Sequence, residues 1–338
     1  MGDIAEKLGI SKNSVSLALS GKDGVSDALR ARIVHTAQEM HYGGYSALNE
    51  WRNRYILVLV PEYLHNDVFF YSDVLWAIEA EAKRLRCIAI NSSITREMEA
   101  SGTLPPALEE LQLQVLGLLT VGVFGEGYIA RLHALGLPML AVDIAYNGVP
   151  VGCVGTANLS GGYLAAKHLL EQGHRDIGFV GPVYAAQSVY ERYCGFRQAL
   201  ERRGIPVNAS RNILGAPGEA FRLFDTAEVL EPYIDAMQSM PTAWFCAGDR
   251  IAIAMMNALA KRGIRVPEDV SVMGFDDIAV AQMILPALTT VRLDRKLMGK
   301  LAVDFLLDQG EKRGVININL PCQLVVRDSV CAPRAQAE

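Results

Sequence analysis

Two short stretches at the start of the chain repeat apolar residues at helical spacing. Ile4 and Leu8 lie one turn apart, as do Val15 and Leu19, so each run presents a narrow apolar stripe. Between them Gly9-Ile10-Ser11 supplies a reversal: glycine enters the left-handed conformation that ends a helix, and Ser11 caps the next one. The spacing predicts two helices joined by a tight turn. A third follows over Ser26 to Met40, with Leu29, Ile33, Ala37 and Met40 closing a three-helix core. Such a helix-turn-helix can lay its second helix in a DNA major groove. An ordinary helical hairpin is the alternative that the pattern alone leaves open.

From Tyr55 the pattern changes. YILVLVP is an almost wholly apolar strand, followed by a helix over about 72–86 and the strand CIAINSS. A helix near 105–113, strand VLGLLTV, a helix near 127–135 and strand PMLAVDI complete one set. A second set runs through helix 158–172, strand DIGFVG, helix 187–203, a strand near NILG, helix 223–239, strand AWFCAG, helix 249–262 and strand VSVMGF. Continuous apolar strands separated by amphipathic helices indicate parallel sheets covered on both faces. The expected fold is therefore α/β: a three-helix head and two doubly wound lobes. The head is expected at 1–42, a linker at 43–54 and the body at 55–338. Within the body, lobe 1 is expected at about 55–153 plus 287–312, and lobe 2 at about 154–286 plus 313–330.

Composition narrows the class. At 338 residues, 51% of them apolar, the chain allows two to three domains at ~150 residues each. No apolar run reaches the ~18 residues that span a membrane. The amphipathic start does not resemble a secretory signal, so a cytoplasmic protein is expected. Cys87, Cys153, Cys194, Cys246, Cys322 and Cys331 are scattered, and so are the histidines, so neither a disulfide frame nor a metal site is expected. Net charge is −5, but through Arg54 there are seven Lys/Arg against six Asp/Glu. A weakly basic tip on an acidic body permits DNA binding without arguing for it.

Candidate chemistry falls in three places. In the second helix Ser11, Lys12, Asn13, Ser14 and Ser16 gather towards the N-terminal half, the end of a recognition helix that meets base edges; asparagine can pair bidentately with adenine. Lys12, Lys22, Arg30 and Arg32 are phosphate candidates, or simply solvated side chains. On the linker, Trp51 could wedge into a minor groove or pack on the following domain. In doubly wound sheets ligands bind beyond the carboxyl ends of the strands, so the cleft between the lobes is the expected site. Asp249 follows AWFCAG and Asp276 follows SVMGF, where each can accept from ligand hydroxyls or cap a helix. Phe69, Phe70 and Tyr71 offer aromatic faces there, or belong to the core. Separately, GEGYIA (Gly125, Gly127, Ala130) with Asp143 matches a dinucleotide fingerprint, although it follows the third strand of its lobe rather than the first.

The chain resembles the lac-repressor-like (LacI/GalR) transcriptional regulators over essentially its whole length. The resemblance rests on DIAEKLGISKNSVSLALSG, GVSDALRARIVHTAQEMHY, HLLEQGHRDIGFVG, ERYCGFRQALERRGI, GIRVPEDVSVMGFDDIAVAQMILPALTTVR and LPCQLVVRDS. It implies a non-enzymatic homodimer, most often a repressor, on a pseudo-palindromic operator. A small effector, by family default a sugar, would occupy the cleft and change DNA affinity, with no cofactor. Lys12 and Asn13 fall where the family reads bases, with Ser14 and Ser16 on the same motif and Trp51 at its minor-groove position. Arg192, in the R-x-x-G-F segment with Gly195 and Phe196, matches an effector-contacting arginine; Asp276 and Asp249 match cleft aspartates, and Phe70 and Tyr71 an aromatic pair near ligand. Leu17, Gly44-Tyr45, Ala157 and Gly248 depart from the family pattern. A solute-binding protein without DNA function and an NAD(P)-binding enzyme are the competing readings.

Overall fold

The computed structural model describes residues 1–19, 24–40, 54–64, 69–111, 114–217, 224–308 and 315–334. Lys22, Trp51 and nearly all of the 43–54 linker lie outside them. The head is built from α1 (Gly2–Leu8), α2 (Lys12–Leu19) and α3 (Asp27–Glu39). Gly9 ends α1 at φ 66°, a left-handed conformation that costs glycine nothing, and the Ile10 N–H closes back onto the Ala5 carbonyl at 3.0 Å. Ser11 Oγ accepts from the Ser14 N–H at 3.0 Å, supplying the expected cap of α2. Ile4, Val15 and Ile33 are fully buried and interlock with Ala18, Leu19 and Ala37.

Two expectations for the head are corrected. Met40, taken as a core residue, follows the end of α3 and is exposed. Arg30, a phosphate candidate, donates to the carbonyls of Leu17 (3.3 Å) and Ala18 (3.0 Å), groups that the end of α2 leaves without helical partners.

The body contains strands β1 (Tyr55–Pro61), β2 (Ile88–Ile94), β3 (Val115–Val121), β4 (Met139–Asp143) and β5 (Gly152–Thr156). β6 (Ile177–Val180), β7 (Ala243–Cys246), β8 (Ser271–Met273), β9 (Thr290–Arg292), β10 (Asn317–Leu320) and β11 (Gln323–Val325) follow. The first sheet is parallel, in the order β10-β5-β4-β3-β1-β2, and the second runs β6-β7-β8. Alternate residues of β1 explain its unbroken apolar run. Ile56, Val58 and Val60 enter one core, Leu57 and Leu59 the core on the other face.

Strand pairing redraws the lobes near the C-terminus. β9 pairs antiparallel with β11, and Thr289, just before it, bridges Met273 of the second sheet, so 290–292 sits with lobe 2 rather than lobe 1. β10 pairs with β5 in the first sheet, so 317–320 sits with lobe 1 rather than lobe 2. The chain thus crosses between the sheets after β5, after β9 and after β10. β5 was missed because Gly-Cys-Val-Gly-Thr has weak strand propensity; its five residues are buried between β4 and β10. The strand expected near NILG amounts to one bridge, Ile213↔Val180.

The helices are α4 (Tyr71–Arg84), α5 (Arg96–Ser101), α6 (Pro106–Leu111), α7 (Glu126–His133), α8 (Asn158–Glu171), α9 (Gln187–Glu201), α10 (Ala227–Asp235), α11 (Asp249–Ala260) and α12 (Arg295–Asp308). α5 was not expected; Thr95 caps it, accepting from the Met98 N–H at 3.1 Å.

Candidate effector cleft and DNA-facing helix

The carboxyl ends of both sheets open onto a cavity of about 550 Å³. Its central side chain is Arg192, delivered by an unusually close crossing of α8 and α9. A Cβ on Gly195 would lie 2.0 Å from the Leu159 carbonyl oxygen, and one on Gly162 would lie 2.1 Å from that of Arg192. With glycine at both points the two backbones touch, and Arg192 reaches across α8. Its Nε donates to Asn158 Oδ1 at 2.9 Å, and Nη1 donates to the Ala247 carbonyl and faces Asp276 Oδ1 at 3.3 Å. The guanidinium also stacks 3.8 Å from the centre of the Phe275 ring. Arg192 is buried, so these partners replace water and fix the plane of the fork.

Across the cleft β4 ends in Asp143, a buried residue held at φ 76°, a backbone conformation uncommon for anything but glycine. Tyr71 donates its hydroxyl to Asp143 Oδ2 at 3.0 Å, whereas Oδ1 has no hydrogen-bond partner among the described residues. Burial pushes the Asp143 carboxyl above its ordinary range, against the opposing pull of Arg192 and the Tyr71 hydroxyl. Phe70 meets Tyr71 edge to face at 4.8 Å and lines the same wall; Phe69 sits 5.8 Å from the Arg250 guanidinium of the opposite lobe. Arg250 in turn pairs with Asp225 at 2.9 Å.

A raised folded-state pKa means that the native protein keeps a proton the unfolded chain has already lost. Stability is therefore highest below the ordinary carboxylate range and falls as pH rises towards the folded value. Asp143→Asn is expected to remove that decline. Thermal melts of both proteins from pH 4 to pH 8 should show the wild type losing ground to the variant; parallel curves would refute the assignment.

Asp249 is corrected. It does not line the cavity: it is fully buried, with Oδ1 accepting from the Thr290 hydroxyl and Oδ2 from the Ile278 N–H at 2.8 Å. Burial and the nearby Asp276 hold its carboxyl well above the usual range. Nor does its side chain cap α11, whose N-cap residue is Gly248. Its role is to brace the loop that carries Asp276. In that loop Asp277 turns away to Arg292 (2.6 Å) and Arg327 (2.7 Å); burial raises its carboxyl, but the two arginines outweigh this and leave it below its ordinary value.

Arg192, Asp276, Phe70 and Tyr71 are thus brought together as expected. Asp143 and Arg250 were missed as cleft residues. The strand-end rule applied to PMLAVDI would have found Asp143; Arg250 carries no sequence signal. The dinucleotide fingerprint finds another use: the Gly125 N–H that would face a pyrophosphate donates to Glu99 Oε1 at 2.6 Å. Among the described residues no cluster of metal-ligating side chains occurs, and no helix is long and apolar enough to cross a membrane.

On the head, Ser11, Lys12 and Asn13 are exposed at the start of α2, while Ser14 and Ser16 are half-buried. Ser14 also shares a 2.9 Å hydroxyl contact with Ser11, so it shapes the turn as well as facing outward. Arg32 is exposed on α3.

A family model described as a periplasmic binding protein-like domain matches residues 166–330. The chain is 30% identical to the HTH-type transcriptional repressor CytR of Escherichia coli (strain K12), over 98% of this chain and 96% of that protein. Among solved structures it is similar to the lac repressor dimer bound to operator and the anti-inducer ONPF, with TM-score 0.69 and 26% identity over 98% of each chain. A LacI family transcriptional regulator from Enterococcus faecium with bound ribose gives TM-score 0.67 and 26% identity, over 83% of this chain and 100% of that one. Because head and body are matched together along single relatives, the chain belongs to the LacI family of helix-turn-helix transcriptional regulators.

Proposed function

We propose that this chain is a cytoplasmic repressor that binds a pseudo-palindromic operator as a homodimer and changes its hold when a small polar ligand fills the cleft. Residues 1–42 act as the DNA-reading head, 43–54 as the linker, and 55–338 as the sensing and dimerising body. The observation that carries the reading is the polar, exposed start of α2 at Lys12 and Asn13, on a head whose core is closed by Ile4, Val15, Leu19 and Ile33 on the other side of that helix. The cleft supplies the sensor. Arg192 and Asp276 face the ligand from lobe 2, Asp143 and Tyr71 from lobe 1, and a ligand bridging them binds one lobe arrangement better than others. Sugars are the first class to test, since the Enterococcus faecium neighbour holds ribose and the open Asp143 oxygen suits a hydroxyl.

Asn13→Ala is expected to weaken operator binding about 10- to 100-fold, the value of one bidentate base contact, and to relax a single base position. Cleft binding should be unchanged, because Asn13 lies on the separate head. Gel shifts against DNA upstream of the gene, at two salt concentrations, give the measurement. Wild-type affinity indifferent to sequence would sink the reading. A thermal-shift screen over sugars and other small polar metabolites tests the sensor, because a ligand bound only by the folded state raises the melting point.

A further inference from the structure

Arg295 opens α12, just after the chain leaves β9 for the first lobe, and its side chain touches both lobes. Nε donates to Asp73 Oδ2 at 3.0 Å, in the first turn of α4, and the guanidinium lies 5.7 Å from the centre of the Phe70 ring. On its other edge Nη1 donates to the Asp276 carbonyl and Nη2 to the Asp277 carbonyl at 3.3 Å. Those two residues hold φ angles of 109° and 52°, which side-chain-bearing residues rarely adopt, so their loop depends on outside support. Arg292 and Arg327 hold the Asp277 side chain, Asp249 holds the Ile278 N–H, and Arg295 holds the carbonyls.

We propose that Arg295 is a positioning residue that ties Asp276 to the first turn of α4, so that ligand contact at Asp276 reaches lobe 1 through Asp73. This deepens the reading of the cleft as an effector site and rests on it. A planar guanidinium can grip a carboxylate on one edge and carbonyls on the other, and it transmits a shift on either side because the fork does not bend. Asp73 lies two residues beyond Tyr71, which holds Asp143. The same helical turn therefore receives the state of the cleft twice, through Tyr71–Asp143 and through Asp73–Arg295. That gives the two lobes a contact whose strength depends on their arrangement, as coupling between sites requires.

Amide hydrogen exchange on the full-length chain, without ligand or DNA, tests this directly. Asp73→Asn acts on the 275–278 loop from the other lobe, so a purely local role for Asp73 would leave that loop unchanged. The proposal expects exchange at Asp276 and Ile278 to rise roughly three- to tenfold, with Arg295→Met doing the same. The double variant should add nothing beyond the larger single effect, and Arg295→Lys should fall between. Amides of α10, which carries none of these contacts, serve as the unchanged reference. Should Arg295→Met fail to fold, Asp73→Asn and Arg295→Lys decide. Unchanged exchange at 275–278 in Asp73→Asn, or additive effects in the double variant, overturns the proposal. Because neither ligand nor operator is present, that outcome would leave the cleft reading standing, to fail only on its own titration.

Discussion

Arg192→Ala is expected to abolish the ligand response and to destabilise the body by about 3–5 kcal/mol, the usual cost of removing one partner from a buried charged network. The substitution strips Asn158, the Ala247 carbonyl and Asp276 of a shared donor and leaves the Phe275 face uncovered. Were Arg192 only the ligand contact that the family resemblance implies, its loss would abolish the ligand response and leave operator affinity intact. The geometry makes it a structural post of lobe 2 as well, so the variant should unfold at lower denaturant concentration. Arg192→Lys keeps the charge but offers no rigid fork; it should recover part of the stability and little of the response. Guanidinium denaturation with a gel shift on the same preparations separates these effects. A full ligand response in the alanine variant would remove Arg192 from the site.

Gly195→Ala is expected to cost at least as much, although it adds a single methyl group. Its Cβ would sit 2.0 Å from the Leu159 carbonyl oxygen and 2.6 Å from the Tyr163 nitrogen, and both are backbone atoms that no rotamer change can move. The helices must separate or tilt, at about 1–3 kcal/mol or more for overpacking alone. Arg192, one turn earlier on α9, then loses its reach to Asn158 and Ala247. The same reasoning applies to Gly162, which faces the Arg192 carbonyl oxygen at 2.1 Å. At Gly127, by contrast, an added Cβ meets no atom within 4 Å, so Gly127→Ala serves as the neutral control. Melting temperatures of the three variants check this ordering; a Gly195→Ala protein as stable as the control would show that the crossing has slack.

Most of the architecture was legible because periodicity reports burial. A strand covered on both faces has to be apolar at every position, as Ile56 to Val60 are, and a head too small for waste has to place Ile4, Val15 and Ile33 one turn or one helix apart. The errors share a cause. β5 is a strand because of where it lies rather than what it contains, and β9 and β10 change sheets according to pairing partners far away in sequence. Asp249 shows the same limit at the level of one side chain. A carboxylate after a strand is equally suited to a ligand, a cap or a brace, and Thr290, forty-one residues on, selects the brace.

The order of hydrophobic and polar residues by itself determined that there would be a three-helix head and two parallel sheets with a cleft at their carboxyl ends, since those follow from local spacing and chain direction. Only the tertiary structure decided that Asp143 and Arg250 join Arg192 and Asp276 at that cleft while Asp249 does not. Arg192, Asp143, Asp276 and Arg295 acquire their roles from partners tens to hundreds of residues away, and the energy of a buried charge is set by what surrounds it, which no local pattern encodes.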